Sequence, residues 1–100
     1  MVSLFDCLST SWHVYVTTVI KKFPELAEKE MEMRFVIRDC ANDTKGNIGL
    51  AILRNTKADK KLFIMALKDI ITDNNFSDKV KLTQEEFSDI ASKGLKVAGL

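Results

Sequence analysis

The sequence contains very little proline and glycine. Among 100 residues there is one proline, Pro24, and there are four glycines. These two residue types most often end helices and form the turns between short strands. Their scarcity, together with the absence of repeats, predicts a few long elements rather than many short strands. The length is typical of one domain, so we expect a single globular domain over residues 1–100.

Cysteine and histidine are also scarce. The chain has two cysteines, Cys7 and Cys40, and one histidine, His13. A structural zinc site uses about four ligands, and two cysteines do not make a disulfide framework, so we predict neither, and no cofactor. If the first two helices form a hairpin about Pro24, the cysteines come close together. We favour two reduced, buried thiols, because disulfides are rare in the cytosol; the alternative is a redox-sensitive pair.

The same hairpin argues against a catalytic Cys–His pair. His13 lies 11 residues before Pro24 and Cys40 lies 16 after it, an offset of five residues. Five residues correspond to about 7 Å along a helix axis, whereas a nucleophile and its base need hydrogen-bond distance. Cys7 is six residues from His13 on a poorly matched helix face. No spaced set of carboxylates offers another site, so we expect the protein not to be an enzyme.

The chain has no marked excess of either charge and no long apolar run. It contains 15 Lys and Arg against 14 Asp and Glu, with a sequence pI of about 7.7. Proteins that coat nucleic acid usually have a domain pI above about 9. The longest apolar run, Leu62–Leu67, is far shorter than the roughly 20 residues that span a bilayer, and the first residues lack the basic start of a secretory signal. We therefore expect no membrane partner and a cytoplasmic location, or the interior of a host cell.

Residues 3–22 are predicted to form the first helix. Apolar side chains recur there at spacings of three and four residues and form one stripe. Ser3 and Asp6 resemble a capping box at its start. The β-branched residues within Val14–Ile20 favour a strand instead, but the stripe runs the full length of the segment. Its members are Phe5, Leu8, Trp12, Tyr15 or Val16, Val19 and Phe23.

The second helix is predicted to begin at Pro24. Proline suits the first helical position, and the glutamates that follow it complement the helix dipole. The helix then runs to Cys40 or the residue after it. The alternative ends it near Glu30 and makes residues 33–38 a strand, paired with residues 48–54 in a small hairpin. A run this short does not distinguish the two by its periodicity.

Two further helices follow a loop over residues 42–47. The third is predicted from Thr56 to about residue 73, and it is apolar nearly all round, so we expect it at the centre of the domain. The fourth begins at Thr83, which forms a capping box with Glu86, and Gly94 is the expected C-terminal cap. The prediction is thus an all-α domain of four to five helices, with an α+β domain containing the small hairpin as the alternative.

The first helix is more apolar than a single stripe requires. Surplus apolar surface on a small domain often marks a partner site, and the 3-4 spacing of the stripe suits dimer packing. The alternative is that the helix is enclosed by other helices. We predict a small protein-binding or regulatory module that binds another protein or forms a homodimer through this helix. The predicted contact residues are Phe5, Leu8, Trp12, Tyr15, Val16 and Val19.

A second hypothesis is a nucleic-acid-associated regulator. Four basic residues cluster around the start of the third helix, where backbone N–H groups also favour phosphate. They are Arg54, Lys57, Lys60 and Lys61. The alternative is a solvated face that keeps an apolar helix in solution. Binding through phosphate contacts would weaken steeply with salt, which distinguishes this hypothesis from the first.

Overall fold

The computed structural model describes the backbone of residues 4–40, 57–74, 76, 80–97 and 99, and the side chains of these residues except 4, 5, 39, 40 and 57–59. Within these ranges there is no strand, and the prediction of an all-α fold is confirmed. The radius of gyration is 12.9 Å, close to the roughly 13 Å expected of a folded 100-residue domain. The elements are α1 (Leu4–Lys22), a 3-10 helix (Pro24–Lys29), α2 (Glu30–Cys40), α3 (Lys57–Asp73) and α4 (Gln84–Val97).

The segment after Pro24 is helical, but it has two parts. The first part is a 3-10 helix rather than the α-helix predicted, and Leu26 N–H donates to the Phe23 carbonyl, three residues back, at 2.9 Å. Such turns are common where helices begin. Residues 33–38 lie within α2, so the proposed hairpin with residues 48–54 is wrong. The second half of that hairpin, like the loop over residues 42–47, lies outside the described residues.

The central helix is α1. Among the described elements, α1 contacts the 3-10 helix and all three other α-helices, whereas α2 contacts only α1 and the 3-10 helix. The prediction that the third helix lies at the centre is wrong. On α3, Phe63 and Leu67 are fully buried, but Leu62 is 39% exposed and Met65 is 54% exposed. The physical reason is that, among the described elements, only α1 and α4 contact α3.

The capping box at the start of α4 is confirmed. Thr83 N–H donates to Glu86 Oε1 and Glu86 N–H donates to Thr83 Oγ1, each at 3.0 Å. The predicted cap at Gly94 is wrong, because the helix continues to Val97 and Gly94 is buried against α1. The predicted caps Ser3 and Thr56 lie outside the described residues.

Candidate functional site

Of the six side chains predicted to bind a partner, those that the structure describes lie in the core of the chain. Five of them are at most 1% exposed: Leu8, Trp12, Tyr15, Val16 and Val19. The Phe5 side chain lies outside the described set. The indole N–H of Trp12 also donates to the Met33 carbonyl of α2, which fixes the two helices together. Packing within the chain accounts for the apolar excess of α1, so a partner has to contact other side chains while the helices stay in place.

The predicted basic patch is only partly described. Arg54 and the side chain of Lys57 lie outside the described set. Lys60 is half-buried and Lys61 is exposed on the second turn of α3. Two described cations do not define a phosphate site, so the patch stays a prediction.

The structure describes the side chains of His13 and Cys7 but not that of Cys40, so it bears on only part of the cysteine and histidine hypotheses. Cys7 is fully buried, but the Cys40 side chain lies outside the described set, so the two interpretations of the pair both stay open. His13 is exposed, and its Nδ1 lies 2.9 Å from Arg34 Nη1 of α2. Because a guanidinium can only donate, the imidazole nitrogen accepts this hydrogen bond. In the described part of the chain, no three His, Cys, Asp or Glu side chains are placed to share a metal ion.

An exposed apolar strip runs along the face of α2 that points away from α1. Met31 is 62% exposed and Phe35 is 39% exposed. The Arg38 guanidinium lies 4.4 Å from the centre of the Phe35 ring, a cation–π arrangement. Glu32, the residue after Met31, and Glu28, three residues before it in the 3-10 helix, are exposed as well. We call these five residues the α2 ridge.

The helical period explains why the ridge faces outward. On α2, Met33 is fully buried and Val36 nearly so, and both face α1. Residues two apart on a helix point about 200° apart, so Met31 and Met33 cannot both face the core. Because Met31 and Met33 are two residues apart in a predicted helix, the sequence itself indicates that one of them faces solvent.

A second surface feature is a cationic groove between α1 and α4. It has a volume of about 640 Å³ and opens to solvent. Val14 is the one apolar residue of its described lining, and Thr17 and Thr18 lie in the lining as well. We call it the α1–α4 groove, and it is lined by His13, Val14, Thr17, Thr18, Lys21, Lys22, Glu86 and Lys93.

The charges of the groove are partly neutralised by ion pairs. Lys22 Nζ lies 2.9 Å from Glu86 Oε1, which ties the end of α1 to the start of α4. Lys93 Nζ lies 3.3 Å from Asp89 Oδ2. Lys21 forms no ion pair with any described residue, so the groove keeps a positive excess.

Two titratable groups near these surfaces have shifted pKa values. Hydrogen bonds from the Lys22 ammonium and from the Thr83 N–H stabilise the ionised form of Glu86 and lower the pKa of its carboxyl. Burial raises the pKa of the Tyr15 hydroxyl, because the phenolate loses its hydration in the core. The lowered pKa of Glu86 therefore results from its hydrogen bonds with Lys22 and Thr83, and the raised pKa of Tyr15 results from its burial in the core.

Comparison with known proteins supplies no relative. No family model matches the chain, and no curated protein or solved structure is significantly similar to it. None of the helices in the described ranges combines the length and apolarity that a bilayer crossing requires.

Proposed function

We propose that this chain is a small, non-enzymatic protein-binding or regulatory module whose contacts with its partner are made by the α2 ridge. The observation that carries the proposal is the exposure of Met31 and Phe35 on α2, which among the described elements contacts only α1 and the 3-10 helix. Aromatic and arginine side chains are enriched at the centres of protein interfaces, and methionine adapts its shape to a partner. Phe35, Arg38 and Met31 bring these three side-chain types together.

The exposed apolar side chains of α3 support the proposal less well. Leu62 and Met65 are also exposed, but among the described residues no exposed ring and no arginine lies on α3 beside them. Leucine is under-represented among the side chains that contribute most to binding. Leu62 and Phe35 have the same exposed fraction, 39%, which makes Leu62 a matched control.

The test is affinity capture with three tagged forms of the chain, namely wild type, Phe35→Ser and Leu62→Ser. Circular dichroism first establishes that all three are folded. We expect wild type and Leu62→Ser to retain the same partner protein, including any untagged copy of the chain, and Phe35→Ser to lose it. Equal retention by Phe35→Ser, or equal loss by Leu62→Ser, would contradict the proposal.

The nucleic-acid hypothesis predicts a different outcome in a parallel experiment. Lys60→Glu with Lys61→Glu would reduce retention of duplex DNA or RNA at low salt, and retention by the wild type would fall steeply as salt is added. The protein-binding proposal expects no salt-sensitive retention of nucleic acid by either form. Retention that the double variant loses would favour the nucleic-acid hypothesis over the α2 ridge.

A further inference from the structure

A small cavity lies where α1, α3 and the start of α4 meet. It has a volume of about 260 Å³ and opens to solvent. An apolar cavity of about 150 Å³ is enough to hold benzene, so this one has room for a single ring with polar substituents. No residue of α2 belongs to its described lining, so the cavity is separate from the α2 ridge. Its lining includes Tyr15, Lys68, Ile71, Val80, Leu82 and Phe87.

Tyr15 contributes a nearly buried hydroxyl group to this cavity. The residue is only 1% exposed. Its hydroxyl forms no hydrogen bond with another described residue, whereas every fully enclosed side-chain nitrogen or oxygen in the described part of the chain has a partner. The hydroxyl oxygen is therefore not fully enclosed, and because Tyr15 lines the cavity, the oxygen is reached from there.

A polar group this deeply buried normally has a hydrogen-bond partner. Burial also raises the pKa of the Tyr15 hydroxyl, so at neutral pH the group keeps its proton and can either donate or accept. A polar atom of a molecule held in the cavity would supply the partner that the described chain does not.

Lys68 supplies the one charge among the described lining residues. Its Nζ lies 5.3 Å from the centre of the Phe87 ring, and it forms no ion pair with a described residue. Four acidic residues are neighbours in sequence of lining residues but do not line the cavity themselves: Asp69, Asp73, Glu85 and Glu86. With one cation and no carboxylate in its described lining, the cavity favours an anionic ligand over a cationic one.

The remaining wall is mainly apolar. Ile71, Val80 and Leu82 are half-buried, and the half-buried ring of Phe87 completes this part of the lining. An aromatic ligand ring can pack against such side chains and against the Phe87 ring. An apolar lining with a few polar groups that fix the orientation of the ligand is typical of small-molecule sites.

We propose that this cavity binds a small aromatic carboxylate that carries a second hydrogen-bonding group, such as 4-hydroxybenzoate. The ring packs against the apolar wall, the carboxylate pairs with Lys68, and the ligand hydroxyl bonds to Tyr15. The site binds its ligand without a chemical step. It uses no residue of the α2 ridge, so it goes beyond the proposed function and does not depend on it.

The test is a titration of the ¹⁵N-labelled chain, followed by amide chemical shifts, with three probes. They are 4-hydroxybenzoate, benzoate, which lacks the hydroxyl, and 4-hydroxybenzyl alcohol, which lacks the charge. The variants are Tyr15→Phe and Lys68→Gln, and Lys61→Gln is the control because Lys61 is exposed on the same helix as Lys68 and does not line the cavity. Circular dichroism first establishes that all forms are folded.

We expect 4-hydroxybenzoate to shift the amides of the cavity residues in a saturable way, with a dissociation constant of about 1 mM or below. Tyr15→Phe should raise this constant about three- to tenfold and leave that of benzoate unchanged, because benzoate has no hydroxyl to lose a partner. Lys68→Gln should raise the constants of both acids about two- to fivefold and leave that of the alcohol unchanged. Lys61→Gln should bind all three probes as the wild type does.

Three results would overturn the site. They are the absence of saturable shifts at about 10 mM 4-hydroxybenzoate, an equal effect of Tyr15→Phe on both acids, and an effect of Lys61→Gln as large as that of Lys68→Gln. The second result would give the Tyr15 hydroxyl a structural role only, and the third would reduce binding to a general attraction of anions to the protein. None of them bears on partner capture through Phe35.

Discussion

Helix α4 crosses α1 at Gly94, where there is no room for a side chain. A Cβ added at this position would lie 1.9 Å from Ser11 Oγ, 2.7 Å from the Cys7 carbonyl oxygen and 2.9 Å from Phe63 Cζ. Contacts under about 3 Å do not occur between a real Cβ and its neighbours, so Gly94→Ala forces part of the core to move. The Ser11 hydroxyl is itself engaged, because it donates to the Ile90 carbonyl at 3.0 Å.

The magnitude follows from two opposing effects. Alanine is favoured over glycine inside a helix by about 0.8–1.0 kcal/mol. Against this, overpacking a core costs about 1–3 kcal/mol, and loss of the hydrogen bond from Ser11 costs about 0.5–1.5 kcal/mol more. Rotation of Ser11 cannot relieve the contact with the Cys7 carbonyl, which belongs to the backbone of α1. We expect Gly94→Ala to lower the free energy of unfolding by about 0.5–4 kcal/mol.

Thermal and urea unfolding, followed by circular dichroism, measure this loss. In a domain of this size each kcal/mol corresponds to roughly 4–8 °C in Tm. Ser92→Ala is the control, because Ser92 is exposed on the same helix. The double variant Ser11→Ala, Gly94→Ala should recover part of the loss, since it removes the shortest contact and leaves the one to Cys7. A Gly94→Ala protein as stable as the wild type, or more stable, would refute the close packing of α1 on α4.

Three further predictions concern the capping box and the tryptophan. Thr83→Ala should cost about 0.5–2 kcal/mol in urea unfolding because it removes the cap of α4, and an unchanged midpoint would contradict this. The stabilisation from Glu86 is present above the ordinary carboxyl pKa and is lost as the pH falls through its lowered pKa. The Tm difference between wild type and Glu86→Gln should therefore shrink as the pH falls below the ordinary carboxyl pKa. A difference that does not vary with pH would contradict the pairing with Lys22. Trp12→Phe should cost about 1–3 kcal/mol, because it removes the hydrogen bond to the Met33 carbonyl, worth about 0.5–1.5 kcal/mol, and leaves a cavity where the larger ring was buried. A cost below about 0.5 kcal/mol would contradict that contact.

The features that the sequence predicted correctly are local ones. The capping box joins Thr83 and Glu86, three residues apart, so its two hydrogen bonds need no information from the rest of the chain. The 3.6-residue period of α1 likewise identifies its stripe, and it outweighs the strand preference of the β-branched residues within Val14–Ile20. The all-α fold follows from such local signals added together.

The features that were missed depend on packing between helices. Gly94 resembles a helix cap by its position, and only the approach of α1 shows that it serves a helix crossing. The apolar residues of α3 do not indicate how many of its sides other helices cover. The sequence therefore predicts that Leu62 and Met65 are buried, whereas both are exposed. The groove joins residues of α1 to residues of α4 more than 60 positions later, and no local pattern relates them.

The central claim is that the α2 ridge is the contact surface of this protein. Titration of ¹⁵N-labelled wild type with the captured partner, or with unlabelled chain where the chain captures itself, is the most direct test when it is followed by amide chemical shifts. We expect the amides of Met31 and Phe35 to shift, while those of Leu62 and Met65 on α3 stay constant. Shifts confined to α3, with none at Met31 or Phe35, would contradict the claim.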